Sequence, residues 1–357
     1  MSFHVQYPRL LPERRRPGHR PAAPRFTLRW ADPVATIVSQ YHGMQRLDRD
    51  QSWQAAFFDR VVASFAEDDG PAAHEIMRFE DDAGHVNAVV VSYWTDATRH
   101  ARWSAQSSLS LWLDDDARLA DEAGYWRETI AVPYDRHETI YSAPHYRIGL
   151  GRLPGTGIEH MTTNGYFGAA RDRLPISAID ALESRDVDVP QAGMISSRGR
   201  RLFAQAPLNM TAIRSGQFWE AAGSEQLEDY TDNLEPKLAR GMQHLAEHPR
   251  DNGTLSLRIM TNLAADGSTR RETSVLGYFF ALDRLEAWAK SHETHLDIYR
   301  HAIAMNRLHG EKREVVTWHE VFIMPGGTGF EYINCHGSTG LLPYVPIFER
   351  AVVEKSA

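Results

Sequence analysis

Cysteine is almost missing from this chain. Cys335 is the only one in 357 residues, which excludes an internal disulfide and suits a reducing, cytosolic compartment. Long apolar runs are missing too. No stretch approaches the ~18 residues that would mark a membrane span. The basic cluster Arg14-Arg15-Arg16 is followed by no apolar core, so it is not a signal peptide. Nor is there an excess of positive charge. A formal net charge of −8 and a sequence pI near 6.1 leave no electrostatic footprint for nucleic acid. What remains is an ordinary globular balance, 42% hydrophobic and 24% charged, with length for two modest cores or one large one. The unusual abundances are 17 histidines and nine tryptophans, residues at home around a buried ring or a metal.

Residues 1–25 are rich in Pro and Arg and lack periodicity, which predicts an extended N-terminal arm that docks on something or stays mobile. Beyond the arm, short β patterns alternate with helical ones, and the chain echoes itself. "YWTDATRHARW" (93–103) and "YFFALDRLEAW" (278–288) each end a strand in tyrosine and carry a tryptophan ten residues on. "RHETIYS" (136–142) resembles "WHEVFIM" (318–324), and "YHGMQ" (41–45) resembles "IRSGQ" (213–217). The pairs fall in the same order, which argues for a duplicated unit. Each unit reads strand, helix, strand, strand, helix, strand, the ferredoxin-like β-α-β-β-α-β order. The first is read over 34–42, 50–66, 74–80, 86–94, 96–121 and 134–142. The second is read over 207–214, 217–247, 255–263, 270–279, 281–309 and 314–323. The expected fold class is therefore α+β, two duplicated ferredoxin-like units of the dimeric α/β-barrel type. The expected domains are the arm, a first unit over 26–145, an inserted segment over 146–206, a second unit over 207–345 and a tail over 346–357.

"SHETHLDIY" (291–299) raises the question of a metal. A zinc protease needs its two histidines at i and i+4 on one helix face. Here His292 and His295 are three apart, and no third ligand is obvious downstream. A haem site demands less: one axial histidine and an apolar pocket. His295, Leu296, Tyr299 and Ile303 follow helical spacing, so His295 can sit on an inward face; a core histidine without a ligand role is the alternative. Ser291 is placed to cap the helix that follows. His319 lies in "EVVTWHEVFIM", a buried strand in which it shares a face with Val315, Thr317, Val321 and Ile323. A titratable ring on so apolar a face needs a partner or a purpose. Ser215 ends the strand-like "LNMTAIRS", where its hydroxyl either projects into a cavity or caps a helix starting near Gln217. "PGGTGF" (325–330) reads as a turn after a strand, and Cys335 as a small buried apolar residue.

Taken together, "NGYFGAARDRLPIS" (164–177), "AIRSGQFW" (212–219), "WAKSHETHLDIY" (288–299), "WHEV" (318–321) and "FEYINCHGSTGLL" (330–342) resemble the haem-containing aldoxime dehydratases, in the family's order. The likeness runs from about residue 26 to 345. It implies dehydration of an aldoxime, R–CH=N–OH, to a nitrile, with haem b in the ferrous state binding the substrate nitrogen. It implies His295 as the axial ligand to haem iron and His292 as a neighbour. It also implies His319 as the distal acid–base, Ser215 as the distal serine, and Arg173 and Glu138 as supporting groups. The inserted segment would pack on the haem pocket. The expected partners are a small-molecule aldoxime and a second copy of the chain in a homodimer, with no nucleic acid and no membrane. Glu293 stands where the family commonly has proline, and the connection from His295 to "WHEV", with "LHGEKRE" in it, is longer than usual. The alternatives that keep the haem are a ferredoxin-like-fold peroxidase, a chlorite-dismutase-like enzyme, and a non-catalytic haem-binding protein.

Overall fold

A computed structural model describes residues 2–184, 193, 195–327 and 329–349. Its first half runs β1 (Arg25–Trp30), β2 (Thr36–Arg46), α1 (Ser52–Ser64), β3 (Ala73–Glu80), β4 (Val86–Trp94), α2 (Ala97–Gln106), α3 (Ser108–Asp114), β5 (Gly124–Pro133) and β6 (His137–Tyr141). A connecting region carries β7 (Thr156–Met161), α4 (Ala169–Arg173) and β8 (Arg201–Gln205). The second half runs β9 (Thr211–Phe218), α5 (Ser224–Asp229), α6 (Glu235–Glu247), α7 (Pro249–Asn252), β10 (Thr254–Leu263) and β11 (Thr269–Phe279). It finishes with α8 (Leu282–Ser291), α9 (Glu293–His309), β12 (Val316–Ile323), β13 (Gly329–Ile333) and β14 (Ile347–Glu349).

The strands form one mixed-connection, antiparallel 14-stranded sheet in the order β14-β8-β13-β5-β2-β4-β3-β10-β11-β9-β12-β6-β1-β7. The two halves meet at β3 and β10, where Arg78 lies opposite Thr261. The sheet is strongly curled. Glu128 on β5 and Arg258 on β10 are four strands apart, roughly 19 Å on a flat sheet at about 4.8 Å per strand, yet their side chains meet at 2.6 Å. Curling lets β2 and β4 bury both faces. The β-branched run of β4, "VNAVVVSYW", is buried along nearly its whole length for that reason. One face feeds an inner core shared by both halves, with Tyr41, Trp126, Tyr278, Trp318 and Phe330. The other feeds outer cores under the helices, around Phe57 and Trp103 in the first half and Phe279 and Trp288 in the second. Asp96 starts α2 by accepting from the backbone N–H groups of Thr98 and Arg99 at 2.8 and 3.1 Å.

The second half keeps the expected order of elements, but its first strand runs over 211–218 and not 207–214, and the helix expected from 217 begins at Ser224. The first half differs at its end. The unit's last strand was expected over 134–142, but the place beside β2 is taken by β5, over 124–133. The strand read at 134–142 is β6, which pairs with β12 on the far side of the sheet. "RHETIYS" and "WHEVFIM" are thus sheet neighbours, Tyr141 opposite Trp318. The positional counterpart of "WHEVF" is "WRETI" (126–130): Trp126 lies opposite Gly43, and Trp318 opposite Gly216. Each glycine is required by that pairing, because a Cβ on it would fall 1.9 Å from the ring of Trp126 or 2.8 Å from that of Trp318. Part of the expected tail, 347–349, is the strand β14 against β8; residues 350–357 lie outside the described residues.

The arm docks on its own chain. Phe3 N–H donates to Trp30 O at 2.6 Å, Tyr7 Oη to Asp135 at 2.8 Å, and Leu10 N–H to Ala178 O at 2.8 Å. Farther along, Arg14 N–H donates to Asp172 at 2.9 Å, and His19 Nε2 lies 2.8 Å from Asn164 O.

Candidate functional site

Sheet register brings the distal candidates together. β9 and β12 are adjacent, and Ser215 lies directly opposite His319, a cross-strand pairing that sets Cβ atoms about 4.5–5.5 Å apart. β9 continues to Phe218 and the next helix begins only at Ser224, so Ser215 caps nothing. On the other flank of His319, β6 places Ile140 opposite it and Glu138 opposite Val321. The connecting region supplies Arg173 from the end of α4.

These four make a coupled set. Arg173 Nε and Nη2 donate to the two oxygens of Glu138 at 2.5 and 3.1 Å. His319 Nε2 lies 2.9 Å from Glu138 Oε1 and 3.0 Å from Arg173 Nη2. With a proton, Nε2 donates to the carboxylate; without one, it accepts from the guanidinium. The ring therefore has a partner in either state, as suits a group that gains and loses a proton in turn. Glu138 is buried, which alone would push its carboxyl up, but Arg173 and then His319 bring it down to about 2. Trp318 and Glu320, on the opposite face of β12, point into the inner core.

Facing this wall are α8 and α9. His292 ends the first and caps the second, its ring nitrogen accepting from Thr294 N–H at 3.4 Å and lying 2.9 Å from Thr294 Oγ1. It stacks on His244 at 3.7 Å. Capping thus falls to His292 and not to Ser291. His295, three residues on, lies edge-on to Trp288 at 4.9 Å. Its Nδ1 is turned into the protein and lacks a regular hydrogen bond, which leaves Nε2 for the cavity. Burial lowers its pKa, with the Ala289 backbone opposing, so the neutral ring is favoured. Although α9 is 17 residues long, none of its residues is buried. Its face of His295, Tyr299, Ala302, Ile303 and Asn306 borders open space.

That space is a cavity of about 420 Å³, lined by Ser215, His319 and Arg173 on the sheet side and His295 on the helix side. Glu138 stands behind the first three. The remaining walls are mostly apolar, with Ile140, Ile213, Leu282, Leu285, Ile298 and Val321 among them. A larger cleft, about 700 Å³, lies between the β3–β10 junction and α6 and contains none of these groups. At its rim, ligand atoms of Asp81, His85 and His336 lie within 4.8 Å of one another. A guanidinium, Arg198 Nη2, sits 3.2 Å from the His85 ring, a poor neighbour for a bound cation. We therefore assign function to the smaller cavity, where acid–base groups converge on apolar walls.

Residues 35–341 match the haem-containing dehydratase family. The chain belongs to that family. It is 32% identical to the aliphatic aldoxime dehydratase of Pseudomonas chlororaphis over 96% of this chain and 97% of the relative. It is 29% identical to the phenylacetaldoxime dehydratase of Bacillus sp. strain OxB-1 over 93% and 94%. A crystal structure of an aldoxime dehydratase in complex with butyraldoxime superposes with a TM-score of 0.86 at 31% identity, covering 96% of this chain and 95% of that one.

The residues of this haem-containing dehydratase fit the group its family is described by. On the helix side one neutral imidazole faces a cavity with mostly apolar walls, the donor set of an axial haem site and not of a zinc centre. The half-covered face of α9 is the kind of surface a flat macrocycle would bury. Cys335 takes no part: it is fully buried, donates to Tyr125 O at 3.1 Å, and has its thiol pushed up to about 12 by burial. In "PGGTGF", Gly326 and Gly327 are at positive φ and Gly329 and Phe330 open β13, while residue 328 lies outside the described residues. The long "LHGEKRE" connection leaves His319 on the cavity wall. The sequence reading missed two cavity cations, Arg25 and Arg313. No local motif marks either, since they come from the end of the arm and from the loop before β12.

Proposed function

We propose that this protein dehydrates aldoximes to nitriles and water, with haem b held by His295 and the reaction managed by His319, Ser215, Arg173 and Glu138. One observation carries the reading: a lone imidazole and a serine–histidine–arginine set face each other across one apolar cavity, in a chain 0.86 in TM-score from an aldoxime dehydratase solved with butyraldoxime. When bound in the ferrous state, the haem supplies a site for the oxime nitrogen and electron density to weaken the N–O bond.

The chain's own residues do the rest. Oxime hydroxide leaves poorly unless it is protonated as the N–O bond breaks. His319 gives the proton on Nε2, which Glu138 stabilises, to the hydroxyl oxygen, and water departs. Nε2, now a lone pair, meets Arg173 until it takes the C–H proton, which completes the nitrile and restores the starting state. One proton leaves His319 and one returns, so no outside acid or oxidant is needed. Ser215, opposite His319, hydrogen-bonds the same hydroxyl oxygen and fixes its aim. The apolar walls take the R group and limit bulk water.

We further read the fold as a duplication of a ferredoxin-like unit, over 26–145 and 207–345, with 146–206 inserted. It is supported by the matching sheet orders β5-β2-β4-β3 and β12-β9-β11-β10 and by the Gly43–Trp126 and Gly216–Trp318 pairs. We place the protein in the cytosol as a homodimer. The single cysteine supports the first, and among the described residues no helix is long and apolar enough to cross a membrane.

The test is nitrile formation from butyraldoxime and phenylacetaldoxime under dithionite. The wild type should turn over when reduced. His319→Ala should keep its haem and its substrate-induced spectrum while turnover falls about 10²–10⁴-fold. Near wild-type turnover in that variant removes His319 from the mechanism. Activity only in the ferric state, with peroxide consumed, replaces the reaction by a peroxidase one.

A further inference from the structure

Arginine is treated consistently in this protein. Where a guanidinium is buried it has a carboxylate: Arg173 has Glu138, Arg171 has Glu286, Arg201 has Glu331, Arg214 has Glu75, and Arg258 has Glu128. A few half-buried arginines break this pattern, Arg29 and Arg78 among them, but the two that line the site cavity are Arg25 and Arg313. Arg25 opens β1, and its Nη1 donates only to Pro24 O, at 2.8 Å. Arg313 precedes β12, and its Nη1 donates to Asn306 Oδ1 at 2.5 Å and Ala302 O at 3.3 Å. Neither makes an ion pair among the described residues. The acid closest in effect to Arg313 is Asp229, whose carboxylate is already bound to His301 at 3.0 Å. The two cations feel each other: burial, then repulsion from Arg25, lowers the Arg313 guanidinium to about 10.

Two neighbouring, partly desolvated like charges without a counter-ion are unfavourable unless something supplies negative charge. Arg25 lies close enough to Arg313 and to Tyr299 of α9 to interact with both. Tyr299, Ala302 and Asn306 lie four, seven and eleven residues beyond His295, on one face of α9. Arg313 is anchored to the far end of that face. A flat macrocycle lying along α9 from His295 would therefore bring one edge to the two guanidiniums. Haem b carries its two carboxylates on one edge, a match in number and charge, and guanidiniums bind carboxylates with paired, charge-assisted hydrogen bonds.

We propose that Arg25 and Arg313 form a dicarboxylate site and take the two propionates of the bound haem. This rests on the haem reading of the cavity given above. It also gives the N-terminal arm a role, since the arm leads directly into Arg25.

The test is porphyrin uptake by the full chain purified from haem-limited cells, followed by the Soret band. Haemin is compared with its dimethyl ester, in which both carboxylates are neutral. The wild type should bind haemin at least about tenfold more tightly than the ester. Arg25→Gln/Arg313→Gln should bind both equally, its haemin affinity down about tenfold to a hundredfold. Arg25→Lys/Arg313→Lys, which keeps both charges, should retain most of the preference and shows that the positions tolerate change. An unchanged preference in the glutamine variant overturns the proposal and leaves the haem reading standing. A wild type that binds neither porphyrin overturns both.

Discussion

Glu138→Gln tests the acid–base set at its buried centre. The substitution keeps the shape and one acceptor but removes the charge that holds Arg173 and the Nε2 proton of His319. Bringing a carboxyl from its ordinary 4.5 to about 2 corresponds to about 3 kcal/mol of preference for the ionised form, at ~1.36 kcal/mol per tenfold. Breaking a buried ion pair by removing one partner costs about 3–5 kcal/mol in general, so two routes give the same order. The sign with pH follows. The folded pKa is depressed, so the contribution is complete above 4.5 and is lost as pH falls towards 2. Equilibrium urea unfolding of wild type and variant at pH 7 should differ by about 3 kcal/mol. At pH 3 the gap should be roughly half that, because the wild type alone surrenders the interaction. Turnover at pH 7 should fall about tenfold or more, because the Nε2 proton has lost its carboxylate acceptor. A gap below about 0.5 kcal/mol, or one that does not change between pH 7 and pH 3, would refute the reasoning. It would reduce Glu138 to a surface-like partner.

Two further outcomes are expected. His295→Ala should yield soluble protein with little haem, whereas His292→Ala should keep its haem and lose about 0.5–2 kcal/mol as a helix cap; equal haem loss, read as Soret absorbance per protein, would mean a different ligand. Glu320 is pushed up to about 8, chiefly by burial, and one of its oxygens lacks a partner. Its stabilising effect is therefore complete below 4.5 and lost as pH rises to 8. Glu320→Gln should gain thermal stability relative to wild type between pH 5 and pH 8.5, and parallel melting curves across that range would contradict the burial account.

Of the residues proposed to carry the chemistry, three lie in a short stretch with a local signature, whereas Arg173 and Glu138 came only through the family resemblance. His295 sits on a helical face, His319 in an apolar strand, and Ser215 beside Gly216. What lay between them was less legible. The run from Gly124 to Tyr141 mixes apolar residues with Arg127, Glu128, Asp135, Arg136 and Glu138, and a single turn at Tyr134–Arg136 interrupts it. Its pattern marks only 134–142 as a strand, yet it folds as two strands that join different parts of the sheet. Local pattern gives the period of a strand but not its neighbours. Gly216 misled in a similar way. It looks like a strand end, yet its missing side chain makes room for the ring of Trp318, and the strand continues. Arg25 and Arg313 carry no local signal, since their meaning is the absence of a partner in a cavity built from distant segments.

The docked arm also constrains when the cavity can exist. Its walls include Ala22 and Ala23 from the arm, His295 from α9 and His319 from β12, so a ribosome must deliver nearly the entire chain before the last wall emerges. A nascent first half would display the arm and the surface it covers with neither His295 nor His319 yet made. Haem capture therefore belongs to the finished polypeptide, and cells that make the chain faster than they make haem should accumulate folded protein awaiting its ring.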